Sequence, residues 1–246
     1  MRVLISGGGT GGHVYPAIAV AAQLDRAIAR KKASAAPAPV VAGQPASQQN
    51  DQLAAQPVGD PLAQAAVSDV LWVGSVGGME RALVERAGIA YHGIHTDKKR
   101  GVNTLRMSSS AGKMLMAERE SRAVITQFQP HVVLVTGGYV SAPVVLAALT
   151  QNVPVMIYLP DMTPGWSIQW MSRFAQRVAV TFPDAAPYFG GEAPAGKAIV
   201  TGYPVREDLV DAARDRSASR EQLAKALGRP LAGPGQPPLV LIWGCL

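Results

Sequence analysis

Near the N-terminus, Gly7-Gly8-Gly9-Thr10-Gly11-Gly12-His13 combines two chemical resources in one short stretch. Glycines at a turn bare backbone N–H groups, and where such a turn opens a helix the positive end of the helix dipole stands behind them. That arrangement suits a phosphate or pyrophosphate. His13, directly after the glycines, adds a neutral imidazole beside the same positive end, a group able to accept a proton. A second stretch of the same kind, Thr136-Gly137-Gly138-Tyr139-Val140-Ser141-Ala142-Pro143, follows another apolar run. Two such loops in one chain predict a single site at the carboxyl edge of a parallel sheet.

Gly7, Gly9 and Gly12 also satisfy the spacing of a dinucleotide fingerprint. A nicotinamide or flavin site further needs a carboxylate at the end of the next strand to hold the ribose. Here that strand ends Val73-Gly74-Ser75, with Glu80 the first acid beyond it and Asp25 inside the preceding helix. An oxidoreductase reading therefore stays open only as the weaker alternative. No Lys-Ser/Thr follows the last glycine, which excludes a Walker-type phosphate loop. His92, His95 and His131 lie in or beside strands without metal-ligand spacing and read as structural.

These loops need a scaffold. Apolar, β-branched runs predict strands at 3–6, 70–74, 92–95, 131–136, 155–159, 177–181 and 198–201. Helices are expected over 16–30, 78–87, 111–128, 142–150 and 169–174, with Pro16 placed in a first helical turn, where its missing N–H costs nothing. The alternation indicates an α/β, Rossmann-like, doubly wound parallel sheet. Residues 32–69, rich in Ala, Gln, Pro and Ser and without an aromatic, read as a disordered insertion. Beyond the sheet, 207–227 reads as a helix, 228–238 as a linker and 238–244 as a new strand. The expected organisation is one domain over 1–201 and the start of another over 202–246.

The bulk properties set limits. Of 246 residues, 48% are hydrophobic and 16% charged, enough for a substantial core. An excess of 23 Lys and Arg over 17 Asp and Glu gives a net charge of +6, which suits anionic partners. The basic residues form no long run and only 6% of residues are aromatic, so a nucleic-acid partner is not expected. The single cysteine, Cys245, excludes an internal disulfide and fits a cytoplasmic setting. The apolar stretch 132–159 is broken by Gly137, Gly138, Pro143, Asn152 and Pro154, so no membrane span is predicted.

Four ordered motifs resemble glycosyltransferase family 28, the peptidoglycan N-acetylglucosaminyltransferases: Gly8-Gly9-Thr10-Gly11-Gly12-His13-Val14-Tyr15-Pro16; Gly78-Met79-Glu80; Gly137-Gly138-Tyr139-Val140-Ser141-Ala142-Pro143; and Thr201-Gly202-Tyr203-Pro204-Val205-Arg206. The resemblance runs from Met1 to about 210, residues 32–69 excepted. It implies the N-terminal half of a GT-B fold, two Rossmann-like domains facing across a cleft. It further implies inverting transfer of N-acetylglucosamine from UDP-N-acetylglucosamine to undecaprenyl-pyrophosphoryl-muramoyl-pentapeptide, with no catalytic metal and no cofactor. Carried over, Gly9, Thr10, Gly11, Gly12, Gly137, Gly138, Tyr139 and Ser141 would meet the acceptor's pyrophosphate, and Arg206 the donor phosphates. His13 is the favoured base and Asp161 the group that positions the sugar, although either could take the proton.

Three departures stand out. Tyr158-Leu159-Pro160-Asp161 replaces the family's His-Glu-Gln-Asn, and Tyr203 stands where an asparagine is usual. The third glycine loop and donor pocket would follow 239–243, so a chain ending at Leu246 is expected to be inactive alone, or to serve only as a lipid-pyrophosphate binding module. A bilayer-anchored acceptor implies a cytoplasmic protein, peripheral on the inner face of the cell membrane. Lys98, Lys99, Arg100, Arg106 and Lys113 would supply attraction to an anionic surface, and Leu105, Met107, Met114, Leu115 and Met116 apolar contact. An ordinary amphipathic helix accounts for the same residues equally well.

Overall fold

The computed structural model describes residues 1–9, 11–35, 69–96 and 107–228. Seven parallel strands carry the fold: β1 (Val3–Gly7), β2 (Val70–Ser75), β3 (Ala90–Ile94), β4 (Val132–Gly137), β5 (Val155–Leu159), β6 (Arg177–Val180) and β7 (Ala198–Val200). Their order, β3-β2-β1-β4-β5-β6-β7, places the reversal of winding between β1 and β4. Open sheets of this kind form their binding crevice there, outside the carboxyl ends of the strands. Both glycine-rich loops therefore leave the sheet side by side. The doubly wound sheet expected from the sequence is the sheet observed.

Between the strands run α1 (Gly11–Ala35), α2 (Glu80–Arg86), α3 (Met107–Phe128), α4 (Ser141–Thr150), α5 (Trp166–Ser172) and a 3-10 segment (Pro183–Phe189). One face of the sheet packs Leu4, Val133, Val135, Ile157 and Val178 against Val124 and Ile125 of α3, Val144 and Ala148 of α4, and Met171 of α5. The opposite face seats Val3, Ile5, Trp72 and Tyr91 under Val14, Ala17 and Ala21 of α1 and Val84 of α2. Beyond β1 on that second face lies an apolar cavity of about 430 Å³, lined among others by Leu134, Met156, Tyr158 and Ala179. None of its lining residues belongs to a glycine loop.

Several boundaries move. α1 starts at Gly11, so Pro16 is its sixth residue rather than part of its first turn. There it removes the hydrogen bond that an N–H would give the Gly12 carbonyl. The helix also continues to Ala35, through the first residues of the expected insertion. At the other end of that insertion, the Asp69 carbonyl accepts the Val3 N–H at 2.7 Å and its carboxylate lies 3.6 Å from the terminal ammonium. The core of the segment, 36–68, lies outside the described residues, as do the expected linker beyond Gly228, the expected strand at 238–244 and Cys245.

The chain divides into two compact units, 1–204 and 205–246. In the second, the single helix expected over 207–227 is two, α6 (Glu207–Arg214) and α7 (Arg216–Leu227). Asp215 separates them, its Oδ1 accepting the Ala218 N–H at 2.9 Å as an N-cap. Among the described residues, no helix is long and apolar enough to cross a membrane.

Candidate functional site

The two glycine loops are bonded to each other. Gly8 donates its N–H to the Gly137 carbonyl at 3.2 Å, and the Ser141 N–H closes the second loop on the Gly138 carbonyl at 3.2 Å. A Cβ on Gly138 would meet the Gly8 carbonyl, so the loops touch without room for a side chain. Gly9, Gly137 and Gly138 take φ of +92°, +114° and +93°, conformations that L side chains rarely adopt. Gly137 carries His13 close against it: a Cβ there would lie 3.2 Å from Nδ1 and Cε1 of the imidazole. His13 is thus held over the second loop although it belongs to the first turn of α1.

Four buried side-chain atoms have no hydrogen-bond partner among the described residues: Ser6 Oγ, His13 Nδ1, Glu80 Oε2 and Thr136 Oγ1. Buried polar atoms are normally satisfied, so their grouping here is informative. Ser6 ends β1 just before Gly7, and a Cβ on Gly7 would collide with the Thr136 hydroxyl. Glu80 lies against Gly8, where a Cβ would stand 2.7 Å from its carboxylate. All four surround the paired loops.

The remaining sequence-predicted residues fall out as follows. Gly11 and Gly12 form the first turn of α1, whereas Thr10 lies outside the described residues. Tyr139 projects from the second loop, 67% exposed. Ser141 is fully buried, its hydroxyl donating to the Gly137 carbonyl at 2.8 Å, so that side chain shapes the loop rather than facing a ligand. Asp161 follows β5 in an exposed turn at the same carboxyl edge. Arg206 opens the second unit, its carbonyl accepting the Leu209 and Val210 N–H groups at the start of α6. His131 accepts the Arg2 N–H at 3.0 Å, and His95 contacts Glu120 at 2.9 Å. Both are structural contacts, as expected.

Glu80 is the residue that sequence reasoning left without a role. It is 1% exposed, and its Oε1 accepts the Ser75 N–H at 3.0 Å at the end of β2. Tyr91 grips the same residue from the other side, donating its hydroxyl to the Ser75 carbonyl at 2.7 Å. Burial, and then the Glu80 charge, push the Tyr91 phenol well above its ordinary value. Its signal in the sequence was the Gly78-Met79-Glu80 motif, which marked the residue without giving it a role. Because Glu80 is buried behind the loop, it cannot serve as the ribose-binding carboxylate of a redox site.

Of the residues expected at a membrane surface, Lys98, Lys99, Arg100, Leu105 and Arg106 lie outside the described residues, as does the side chain of Met107. Met114, Leu115 and Met116 are exposed on α3, with Leu115 the most open at 59%.

Comparison with known proteins bears on this geometry. Residues 62–180 match the glycosyltransferase family 28 N-terminal domain. A UDP-N-acetylglucosamine–N-acetylmuramyl-(pentapeptide) pyrophosphoryl-undecaprenol N-acetylglucosamine transferase of Roseiflexus sp. RS-1 is 35% identical over 235 residues, covering 89% of this chain and 49% of that protein. The protein of the same name from Desulforudis audaxviator is 34% identical over 233 residues, covering 94% and 49%. The crystal structure of Acinetobacter baumannii MurG superposes with a TM-score of 0.55 at 25% identity, covering 84% of this chain and 46% of that one. A UDP-GlcNAc 2-epimerase from Neisseria meningitidis shares the fold alone, with a TM-score of 0.53 at 14% identity. The chain spans about half the length of the curated relatives it matches. Its sheet has the Rossmann-like, doubly wound fold that the Acinetobacter baumannii structure shares.

Proposed function

From the glycosyltransferase family 28 N-terminal domain that residues 62–180 carry, we propose that this chain forms the acceptor-binding half of an inverting N-acetylglucosaminyltransferase. The donor is UDP-N-acetylglucosamine, the acceptor undecaprenyl-pyrophosphoryl-muramoyl-pentapeptide, and the product the disaccharide lipid used in peptidoglycan synthesis. The observation that carries this reading is the pair of glycine loops bonded at the switch point with His13 against Gly137.

In this reading the backbone N–H groups of Gly9, Gly11 and Gly12, with the positive end of α1 behind them, receive the acceptor's pyrophosphate, a role the resemblance gives Thr10 as well. Gly138 and Tyr139 border it from the second loop. The acceptor hydroxyl attacks the anomeric carbon as the bond to UDP breaks, and its proton passes to His13. With Nδ1 buried against Gly137, Nε2 is the nitrogen left to take that proton. Such general-base help is typically worth about 10²–10⁴-fold in rate. Asp161 holds a sugar hydroxyl, and Arg206 meets the donor phosphates. Met114, Leu115 and Met116, with the basic residues preceding α3, rest on the anionic cytoplasmic face of the cell membrane.

Calorimetry of the purified chain against a soluble lipid I analogue tests the reading. Binding should require the analogue's pyrophosphate and should weaken about tenfold or more when the loop is altered by Gly138→Ala. An analogue without the pyrophosphate binding equally well would refute it. Assignment of the base is tested in a chimera joining a relative's donor domain after Arg206. There His13→Ala should lose a hundredfold or more in rate, on the order expected for a missing base. Retention of rate by that variant, with a comparable loss in Asp161→Asn, would exchange the two roles.

A further inference from the structure

Gly8 and Gly78 are not glycine for conformational reasons: neither has a positive φ. What both lack is space. A Cβ at Gly8 would stand 2.7 Å from the Glu80 carboxylate, and one at Gly78 would collide with the same group. The carboxylate occupies the volume of two missing side chains, one in the first glycine loop and one in the β2–α2 turn. It is 1% exposed, so it cannot swing into solvent without opening the structure.

Burying a carboxylate is costly unless charge or hydrogen bonds compensate. The adjacent cation, Arg81, does not do so: it faces outward and pairs with Glu85 at 2.8 Å. Compensation comes from the Ser75 N–H and from the N-terminal end of α2, of which Glu80 is the first residue. The remaining oxygen, Oε2, has no hydrogen-bond partner among the described residues. A packing role alone is better served by an apolar residue of similar volume.

We propose that Glu80 is the positioning residue of the first glycine loop, a buried carboxylate that seats Gly8 from behind and fixes the loop to the end of β2. The chain of contacts is short. Tyr91 and Glu80 hold the carbonyl and the N–H of Ser75; Glu80 presses on Gly8; the Gly8 N–H reaches the Gly137 carbonyl of the second loop. Glu80 therefore acts on ligand through loop shape and does not touch it. Its relevance to catalysis rests on the reading of the loops as a pyrophosphate site.

The test uses the full chain, with inorganic pyrophosphate as probe and amide exchange of residues 7–13 as a ligand-independent readout. Glu80→Ala should speed that exchange and weaken pyrophosphate binding by about tenfold or more, as loss of a supporting contact behind a site does. Glu80→Gln keeps the acceptor for Ser75 and removes a negative charge behind the anion, so affinity should be retained or rise. Gly8→Ala should perturb exchange when Glu80 is present and add little in Glu80→Ala. If Glu80→Ala does not fold, Glu80→Asp, which withdraws the carboxylate from Gly8, should equally relieve Gly8→Ala. The proposal is overturned if Glu80→Gln falls as far as Glu80→Ala, or if Gly8→Ala is equally damaging with and without the carboxylate. Should the unaltered chain fail to bind pyrophosphate, the functional reading fails, while exchange and the Gly8–Glu80 coupling still decide the clamp.

Discussion

The two glycine loops look alike in sequence and are built on different principles. In the first, Gly7 and Gly8 have ordinary φ and are small because the Thr136 hydroxyl and the Glu80 carboxylate fill the adjacent space. Only Gly9, at φ +92° with nothing within 4 Å, is glycine for its conformation alone. In the second, Gly137 and Gly138 combine positive φ with close neighbours, and the neighbour of Gly138 is backbone. One loop is wedged by side chains and can be relieved by altering them. The other is fixed at Gly138 by the chain itself, and there no second substitution can make room.

The largest effect should come from the loop without relief. Gly138→Ala combines strained φ with a backbone collision and should destabilise the chain by about 3 kcal/mol or more in a urea melt. No partner substitution should recover it, and recovery by one would erase the contrast. Gly7→Ala should cost about 2 kcal/mol by overpacking, with at least half returned in the double variant Gly7→Ala, Thr136→Ala. Additive costs in that pair would show that the first loop, too, is held by its backbone. Ser141→Ala removes the buried hydroxyl that holds the Gly137 carbonyl at 2.8 Å and should cost about 1 kcal/mol. Gly9→Ala meets no atom and should cost about 1 kcal/mol, the lower end of what a left-handed φ costs a residue with a Cβ.

The smallest effect is confined to high pH. The raised phenol of Tyr91 keeps its proton more tightly folded than unfolded. Its contribution is therefore complete below the usual tyrosine value near 10 and is lost as pH rises above that. Thermal melts should hold steady through neutral pH and fall in the alkaline range. Tyr91→Phe should flatten part of that fall, and an unchanged slope would place the alkaline sensitivity elsewhere.

The strands were legible because each is a short β-branched run bounded by turn residues, and a buried parallel strand leaves that signature. Both loops were legible because a glycine cluster between strand and helix has few other uses. Three features were not. Gly11 and Gly12 are poor helix formers, yet they begin α1, because tertiary placement overrides propensity. The break at Asp215 was hidden inside a continuous helical pattern, although a capping Asp marks it. Glu80 was named within a motif but given no role, because glutamate is almost always exposed and no local pattern announces a buried one. The inward turn of the Ser141 hydroxyl was equally hidden, because no local pattern distinguishes a loop serine that bonds its own backbone from one that faces outward.

The contact between Gly8 and Glu80 also constrains how such sequences can diverge. These positions are 72 apart in the chain, yet neither can drift alone: a methyl at the first leaves no room for the acid at the second. In an alignment of relatives the two columns should change together, with any residue larger than glycine at the first accompanied by loss of the carboxylate at the second. Gly78 should join them as a third column. The ancestry of the loop would then be readable from a site that never meets a substrate.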